Sequence, residues 1–255
     1  MGCRRRCCRN GAAKILHERG HEVSLFEASD TLGGEFLLAG EAPGKAEMKA
    51  AAFEMAEQVE KLVKVYKNTK VDAQMLKDAD VDAVILAIGS SPITIKLEGM
   101  DKLQHASAPE VLRHEVCPKG KVAVIGGGLV GLETADTLAT DGCDVTVLEM
   151  KDEIGSDLGS LRKIAVMMKL QQMQVKMLPN SKVCKFTEEG IVLEDETLVP
   201  CNCAVFAVGF ASNDSHLLVE ECEKRQIPCR VIGDAKSARR ALDAVAEGFE
   251  AARTL

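Results

Sequence analysis

Two periodicities alternate along this chain. Residues 122–125, Val-Ala-Val-Ile, form an unbroken apolar run after Lys121, the pattern of a strand covered on both faces. An Ala- and Leu-periodic stretch follows, with Ala135 and Leu138 three apart on one helical face. Gly142 closes that helix, and Val145-Thr146-Val147-Leu148-Glu149 reads as a second strand. An earlier segment repeats the plan. A short helix is predicted over 12–19, with Ala13 and Leu16 on one face; Gly20 closes it, and His21–Ala28 reads as a strand ending near Glu27. In this register Arg19-Gly20-His21-Glu22-Val23-Ser24-Leu25-Phe26-Glu27 parallels Asp141-Gly142-Cys143-Asp144-Val145-Thr146-Val147-Leu148-Glu149. Ala13 meets Ala135 and Leu16 meets Leu138. The chain therefore carries an internal repeat of one strand–helix–strand unit, whose first copy lacks its opening strand and glycine turn.

The rest of the pattern supplies further pieces. Thr31-Leu32-Gly33-Gly34 reads as a loop and Ala42-Pro43-Gly44-Lys45 as a turn. Residues 46–65 carry a helical period, and Lys70-Val71 reads as a short strand. Ala83-Val84-Ile85-Leu86-Ala87-Ile88 is a buried strand running into Gly89, echoed by Ala204-Val205-Phe206-Ala207-Val208 running into Gly209. Strand-end glycines of this kind let a backbone pass close to a ligand. Arg230-Val231-Ile232 is a short strand before Gly233-Asp234, and 238–253 forms a helix with Leu242, Val245, Ala246 and Phe249 on one face. Strands alternating with helices in this order predict an α/β fold with parallel sheets.

Composition narrows the function classes. The 255 residues suit one large or two modest domains, and 46% hydrophobic content with 28% charged supports a sizeable core. A net charge of −7 argues against nucleic acid or an anionic membrane as partner. Aromatic content is only 3%, with no Trp, which also disfavours base stacking. No apolar run approaches a membrane span. None of the ten cysteines forms a Cys-x-x-Cys, and Cys201-Asn202-Cys203 lacks zinc spacing, so no metal site is expected. Cys143 and Cys203 read as buried thiols, and the whole pattern fits a reducing cytoplasm. The basic start, Met1 to Arg9, has no apolar stretch behind it and is not a secretory signal. Arg6 breaks the myristoylation pattern opened by Gly2, and adjacent Cys7 and Cys8 lack the partners of an iron–sulfur site. His17, in the last predicted turn of the first helix, compensates the helix dipole.

Chemistry concentrates in Gly126-Gly127-Gly128-Leu129-Val130-Gly131. Gly126 permits a tight turn out of the strand, Gly128 lets the backbone approach a pyrophosphate, and Gly131 lets the helix pack on the strand. The helix N-terminus, at Leu129 and Val130, offers N–H groups and partial positive charge to phosphates. Glu149 follows Gly131 by about twenty residues, where a carboxylate accepts from ribose hydroxyls and repels a 2′-phosphate. This favours NADH over NADPH.

Two such units, two strand–Ala-x-Gly signatures and Ile232-Gly233-Asp234 before a helix resemble the FAD/NAD(P)-dependent pyridine nucleotide oxidoreductases. Leu37-Leu38-Ala39-Gly40-Glu41-Ala42-Pro43-Gly44-Lys45 and Arg240-Ala241-Leu242-Asp243-Ala244-Val245-Ala246-Glu247-Gly248-Phe249-Glu250-Ala251-Ala252-Arg253 resemble, more narrowly, one half of the NADH:flavin oxidoreductase family. That half is the C-terminal dinucleotide-binding one, and the family includes 2-enoate reductase, 2,4-dienoyl-CoA reductase and trimethylamine dehydrogenase. The resemblance covers about residues 12–255. It implies two nested Rossmann-like domains with parallel sheets: an FAD-binding type split over 1–112 and 199–255, its first βα unit degraded, and an NAD(H)-binding domain inserted at 113–198. By position, Glu27 would bind the FAD adenosine ribose, Gly33 and Gly34 would lie along FAD, Gly89 would sit beside it, and Asp234 would accept from the ribityl chain, with Gly233 allowing close approach. Gly126, Gly128, Leu129, Val130, Gly131 and Glu149 would hold NADH, Gly209 would border its site, and Glu133 would lie near the nicotinamide. The cofactors implied are FAD and NADH, and the partner an FMN/iron–sulfur flavoprotein domain or subunit.

This sequence departs from the family pattern in three ways. It has no FMN barrel, no four-cysteine cluster motif and no redox-active disulfide pair. The first glycine fingerprint, expected just before Ala12, is replaced by Arg and Cys, with Arg4, Arg5, Arg6 and Arg9 in its place. Codons for residues 1–10, read one base later, can spell Trp-Val-Val-Gly-Gly-Gly-Ala-Ala-Gly-Met, which restores a strand and fingerprint in register. The expectation is a small insertion or deletion near residue 11 that shifted the frame. Two functions follow: an oxidoreductase passing hydride from NADH to a flavin and on to a partner centre, with no side chain acting as acid or base, or an NADH-binding module without turnover.

Overall fold

The computed structural model describes residues 7–255, so the readings on Cys3, Arg4, Arg5 and Arg6 lie outside the described residues. The described residues divide into two compact units, one of residues 7–40, 45–91 and 210–255, the other of 41–44 and 92–209.

The second unit is built on a five-stranded parallel sheet with strands in the order Gln104–Ser107, Cys203–Phe206, Lys121–Ile125, Asp144–Leu148, Lys176–Leu178. Lys121–Ile125 is central, and every residue after Lys121 is buried. Helix Leu129–Thr140 covers one face, packing Leu132, Ala135 and Leu138 on Val122, Val124, Val145 and Val147. On the other face Ala123, Ile125, Leu148 and Ala204 pack with Phe186 and Ile191. These belong to an antiparallel sheet of Val183–Thr187, Gly190–Leu193 and Leu198–Pro200. Coverage on both sides is why the central strand is apolar without alternation. Each such buried aliphatic side chain contributes about 1.5–3 kcal/mol.

The first unit holds the parallel strand pairs Ser24–Phe26 with Lys64–Tyr66 and Val84–Leu86 with Cys229–Val231. Helix Ala46–Leu62 packs Ala56 and Val59 against Leu25 and Ala13. Helix Cys7–Glu18 packs on the last helix, Ala241–Thr254, so closely that a Cβ on Gly248 would lie 2.2 Å from the Cys8 carbonyl oxygen.

The internal repeat shows in the helix bounds and in the bonds that close each helix. Cys7–Glu18 and Leu129–Thr140 start and stop at one constant sequence offset. Gly20 donates to His17 O at 2.9 Å and His21 to Leu16 O at 3.0 Å, as Gly142 donates to Ala139 O at 3.1 Å and Cys143 to Leu138 O at 3.0 Å.

Several sequence expectations are corrected. The first helix starts at Cys7 rather than residue 12. The helix expected over 46–65 ends at Leu62, and the strand falls at Lys64–Tyr66 instead of Lys70-Val71, because Val63 and Val65 pack beside Leu25. Residues 104–107 and 203–206 were expected in the split domain but join the second unit's sheet; apolar composition does not say which sheet a strand enters. Leu242, Val245 and Phe249 do share a face of the last helix, but that face is exposed. The buried face is Ala244, Gly248, Ala251 and Ala252, whose small side chains permit the close crossing. Cys203 is buried as expected, whereas Cys143 is only half-buried, its Sγ donating to Pro118 O at 3.3 Å. Among the described residues no helix is long and apolar enough to cross a membrane.

Candidate functional site

In the second unit the central strand runs into Gly126, whose φ of 110° is left-handed space that a side chain rarely adopts. Its N–H donates to Leu148 O at 2.8 Å. A Cβ on Gly131 would lie 1.9 Å from Gly126 O, so helix and turn touch backbone to backbone. Gly128 is the residue before the helix, extended and without a side chain at the turn's crest. Val130 is half-buried, and its carbonyl accepts from Thr134 Oγ1 at 2.8 Å.

Glu149 ends the next strand and ties itself to this turn. Its Oε2 accepts the Gly127 N–H at 2.7 Å, and its Oε1 accepts the Lys151 N–H at 2.9 Å. Strand, glycine turn, helix start and carboxylate thus converge in the second unit. Glu133, on the same helix, pairs with Arg162 at 3.0 Å. Gly209 has φ 105°, and its carbonyl accepts from Ile93 N at 3.0 Å.

In the first unit Glu27 is 1% exposed. Its Oε1 accepts from Ser29 N at 2.7 Å and Ser29 Oγ at 2.9 Å, the counterpart of the Lys151 contact. Its Oε2 accepts from Arg9 Nη2 at 2.6 Å, and Arg9 Nη1 donates to Phe26 O at 2.9 Å. Arg9 stands at the register of Gly131. Gly33 and Gly34 open the helix Glu35–Glu41, their carbonyls accepting from Phe36 at 3.1 Å and Leu37 at 3.0 Å. Gly89 lies between Val84–Leu86 and Ser90–Pro92, and its carbonyl accepts from Asn213 N at 2.9 Å. Asp234, 2% exposed, sits in the turn Gly233–Ala235. It accepts from Ser90 Oγ and from Arg239 N, both at 3.3 Å. Gly233 N donates to Glu247 Oε2 at 2.7 Å, and Glu247 also pairs with Arg239 and Lys236.

The structure brings Gly126, Gly128, Leu129, Gly131 and Glu149 into one group, and Gly89, Gly233 and Asp234 into another. Sequence reasoning missed Ser29, Ser90, Glu247 and Asp157. Ser29 carried a local signal, two residues past Glu27, where a hydroxyl and N–H reach back to a carboxylate. The others meet their partners only through tertiary structure. Among the described residues no group of three or more His, Cys, Asp or Glu side chains could hold a metal ion.

The chain belongs to the pyridine nucleotide-disulphide oxidoreductase family, whose model matches residues 10–234. It is 36% identical over 252 residues to bilirubin reductase of Mediterraneibacter gnavus, a match covering 96% of this chain and 38% of that protein. It is 32% identical over 253 residues to cinnamate reductase of Clostridium sporogenes, covering 96% and 37%. Its fold matches 2-naphthoyl-CoA reductase, solved with 2-naphthoyl-CoA, at a TM-score of 0.90 and 24% identity, covering 99% of this chain and 40% of that one. The chain thus spans about two fifths of the length of these relatives and corresponds to the FAD/NAD(P)-binding half of an enoate reductase-like enzyme.

FAD and NAD(P)H are the cofactors of this domain family. The second unit carries a glycine turn, a helix start and a strand-end carboxylate of the kind a dinucleotide needs, with Asp157 bonded to the Leu129 N–H at the helix start. In the first unit the residues expected along FAD are glycines at positive φ, Gly33, Gly34, Gly89 and Gly233, and the buried carboxylate of Asp234. At the adenosine end Glu27, the expected ribose acceptor, is already paired with Arg9, which stands at the register of Gly131.

Proposed function

We propose that this chain is an NADH-dependent oxidoreductase domain that passes hydride from NADH to a flavin and onward to a partner redox centre. The observation that carries the reading is Glu149 bound to the Gly127 N–H beneath a glycine turn. In this reading Gly126, Gly128 and Gly131 let the backbone approach the pyrophosphate, the Leu129 and Val130 N–H groups donate to it, and Glu149 accepts from the adenosine ribose. Gly209 borders the cleft. Gly33, Gly34 and Gly89 line FAD, Asp234 accepts from its ribityl hydroxyls beside Gly233, and Glu27 serves its ribose. FAD, when bound, supplies the hydride acceptor and a relay of electrons. The protein's residues orient and exclude water, and none is assigned as general acid or base. The partner is an FMN/iron–sulfur domain or subunit, a role the additional length of the relatives supports. The final acceptor is an unsaturated acid or thioester, in keeping with the cinnamate and 2-naphthoyl-CoA reductases. The free thiols among the described residues suit a reducing cytoplasm.

The Arg9–Glu27 pair favours a second reading, an NADH-binding module that holds FAD weakly and does not turn over. Purified protein separates the two. Flavin absorbance bleached by NADH supports the oxidoreductase; colourless protein that still binds NADH by calorimetry supports the module. Folded protein that binds neither refutes both.

A further inference from the structure

Asp157 lies where the proposed pyrophosphate would go. Both its carboxylate oxygens accept the Leu129 N–H, at 3.0 and 3.1 Å, at the start of helix Leu129–Thr140. A Cβ on Gly128 would lie 3.3 to 3.6 Å from this carboxylate, so Asp157 stands against the backbone left bare for close approach. The segment that presents it is anchored. Gly155 N donates to Gly127 O at 2.7 Å, Ile154 is buried in the core beside Leu132, and Glu153 pairs with Lys163 at 2.6 Å.

We infer that Asp157 is a built-in competitor for the dinucleotide pyrophosphate and sets the affinity of the NADH cleft. The inference rests on the proposed NADH site. The helix N-terminus favours one anion in that volume. Empty, the cleft satisfies the Leu129 N–H with Asp157; loaded, a phosphate oxygen takes the N–H and the carboxylate withdraws. A group that stabilises only the empty state weakens the ligand by the same factor. Removing its charge therefore tightens binding, the reverse of what a cofactor-holding residue would show.

The test is calorimetric titration of the full chain, wild type, Asp157→Asn and Asp157→Ala, with NADH, ADP-ribose and adenosine. Asn keeps the shape and removes the charge. Both variants should bind NADH and ADP-ribose about ten-fold tighter, the scale of a charge and hydrogen bond at a helix end, with adenosine unchanged. Unchanged or weaker NADH binding in both variants, with wild type binding normally, overturns the inference and leaves the proposed function standing. If no form binds NADH, the proposed function fails instead. Inorganic pyrophosphate then decides the inference: a larger rise in melting temperature for Asp157→Asn than for wild type upholds it, and equal rises overturn it.

Discussion

Arg9 Nη2 lies 2.6 Å from Glu27 Oε2, the oxygen whose counterpart on Glu149 accepts the Gly127 N–H. Two copies of one structural unit diverge at that atom. In both, the other oxygen is held from two residues on, by Ser29 or by Lys151. The first copy fills the remaining position with a guanidinium, while the second fills it with the glycine turn. Arg9 Nε is buried without a hydrogen-bond partner among the described residues, so the side chain is not fully accommodated where it lies.

Arg9→Gly is therefore expected to remove the guanidinium from Glu27 Oε2 and raise the flavin-to-protein ratio several-fold after incubation with FAD. It also breaks a buried ion pair and should cost about 3 kcal/mol of stability, measured by urea unfolding without cofactor. A flavin ratio that does not move would show that Arg9 is not what closes the adenosine end. The gene's nucleotide sequence adds a check: a shifted frame without a glycine triplet over residues 1–10 ends the frameshift expectation.

Glu149→Ala is expected to weaken NADH binding about 10- to 100-fold, the loss of charge-assisted hydrogen bonds to two hydroxyls. NADPH should lose far less, because the same change removes repulsion of its 2′-phosphate. Paired titrations measure the ratio. Equal losses for both nucleotides would place the ribose elsewhere.

Residues 121–149 were readable in sequence because their order is local: a strand covered on both faces, a turn that only glycine permits, a helix and a closing carboxylate. The antiparallel strands between Val183 and Pro200 gave no comparable pattern; each is short, and the two that flank the mostly buried Gly190–Leu193 are only partly buried. The last helix misled for another reason. Its large apolar residues mark a face, but Gly248 against Cys8 decides which face packs. Arg9 was visible as a missing glycine, and its pairing with Glu27 was not, because a strand-end carboxylate meets it only after folding. Asp157 obeys no spacing rule, since it reaches Leu129 from a loop that follows the carboxylate strand.

Two glycines of the packed helix pair should respond to alanine with opposite signs. Gly11 lies within Cys7–Glu18 with nothing within 4 Å of a new Cβ. Gly11→Ala should stabilise by about 0.5–1 kcal/mol through helix propensity. Gly248→Ala drives its methyl against the Cys8 backbone and should destabilise by about 1–3 kcal/mol. Denaturant midpoints with unchanged slopes test both. A neutral Gly248→Ala would mean that the two helices part without cost.

The buried thiols give the chain an alkaline limit. Burial pushes Cys201 and Cys203 up to about 11, and burial beside Cys222 pushes Cys229 up to about 12. In the unfolded chain these thiols ionise near the ordinary value of about 8.5. Below that pH both states hold the protons and stability does not depend on them. Between about 9 and 11 the unfolded state releases protons that the folded state keeps, so stability falls as pH rises. The urea midpoint should decline over this window, and Cys203→Ala should flatten the decline. Alkylation at pH 8 followed by peptide mapping supplies the structural counterpart. Exposed Cys117 and Cys184 should react in the native protein, and Cys201, Cys203 and Cys222 only after denaturation. Native labelling of Cys203 at the rate of Cys117 would show that the central sheet opens to solvent far more readily than its two covered faces allow.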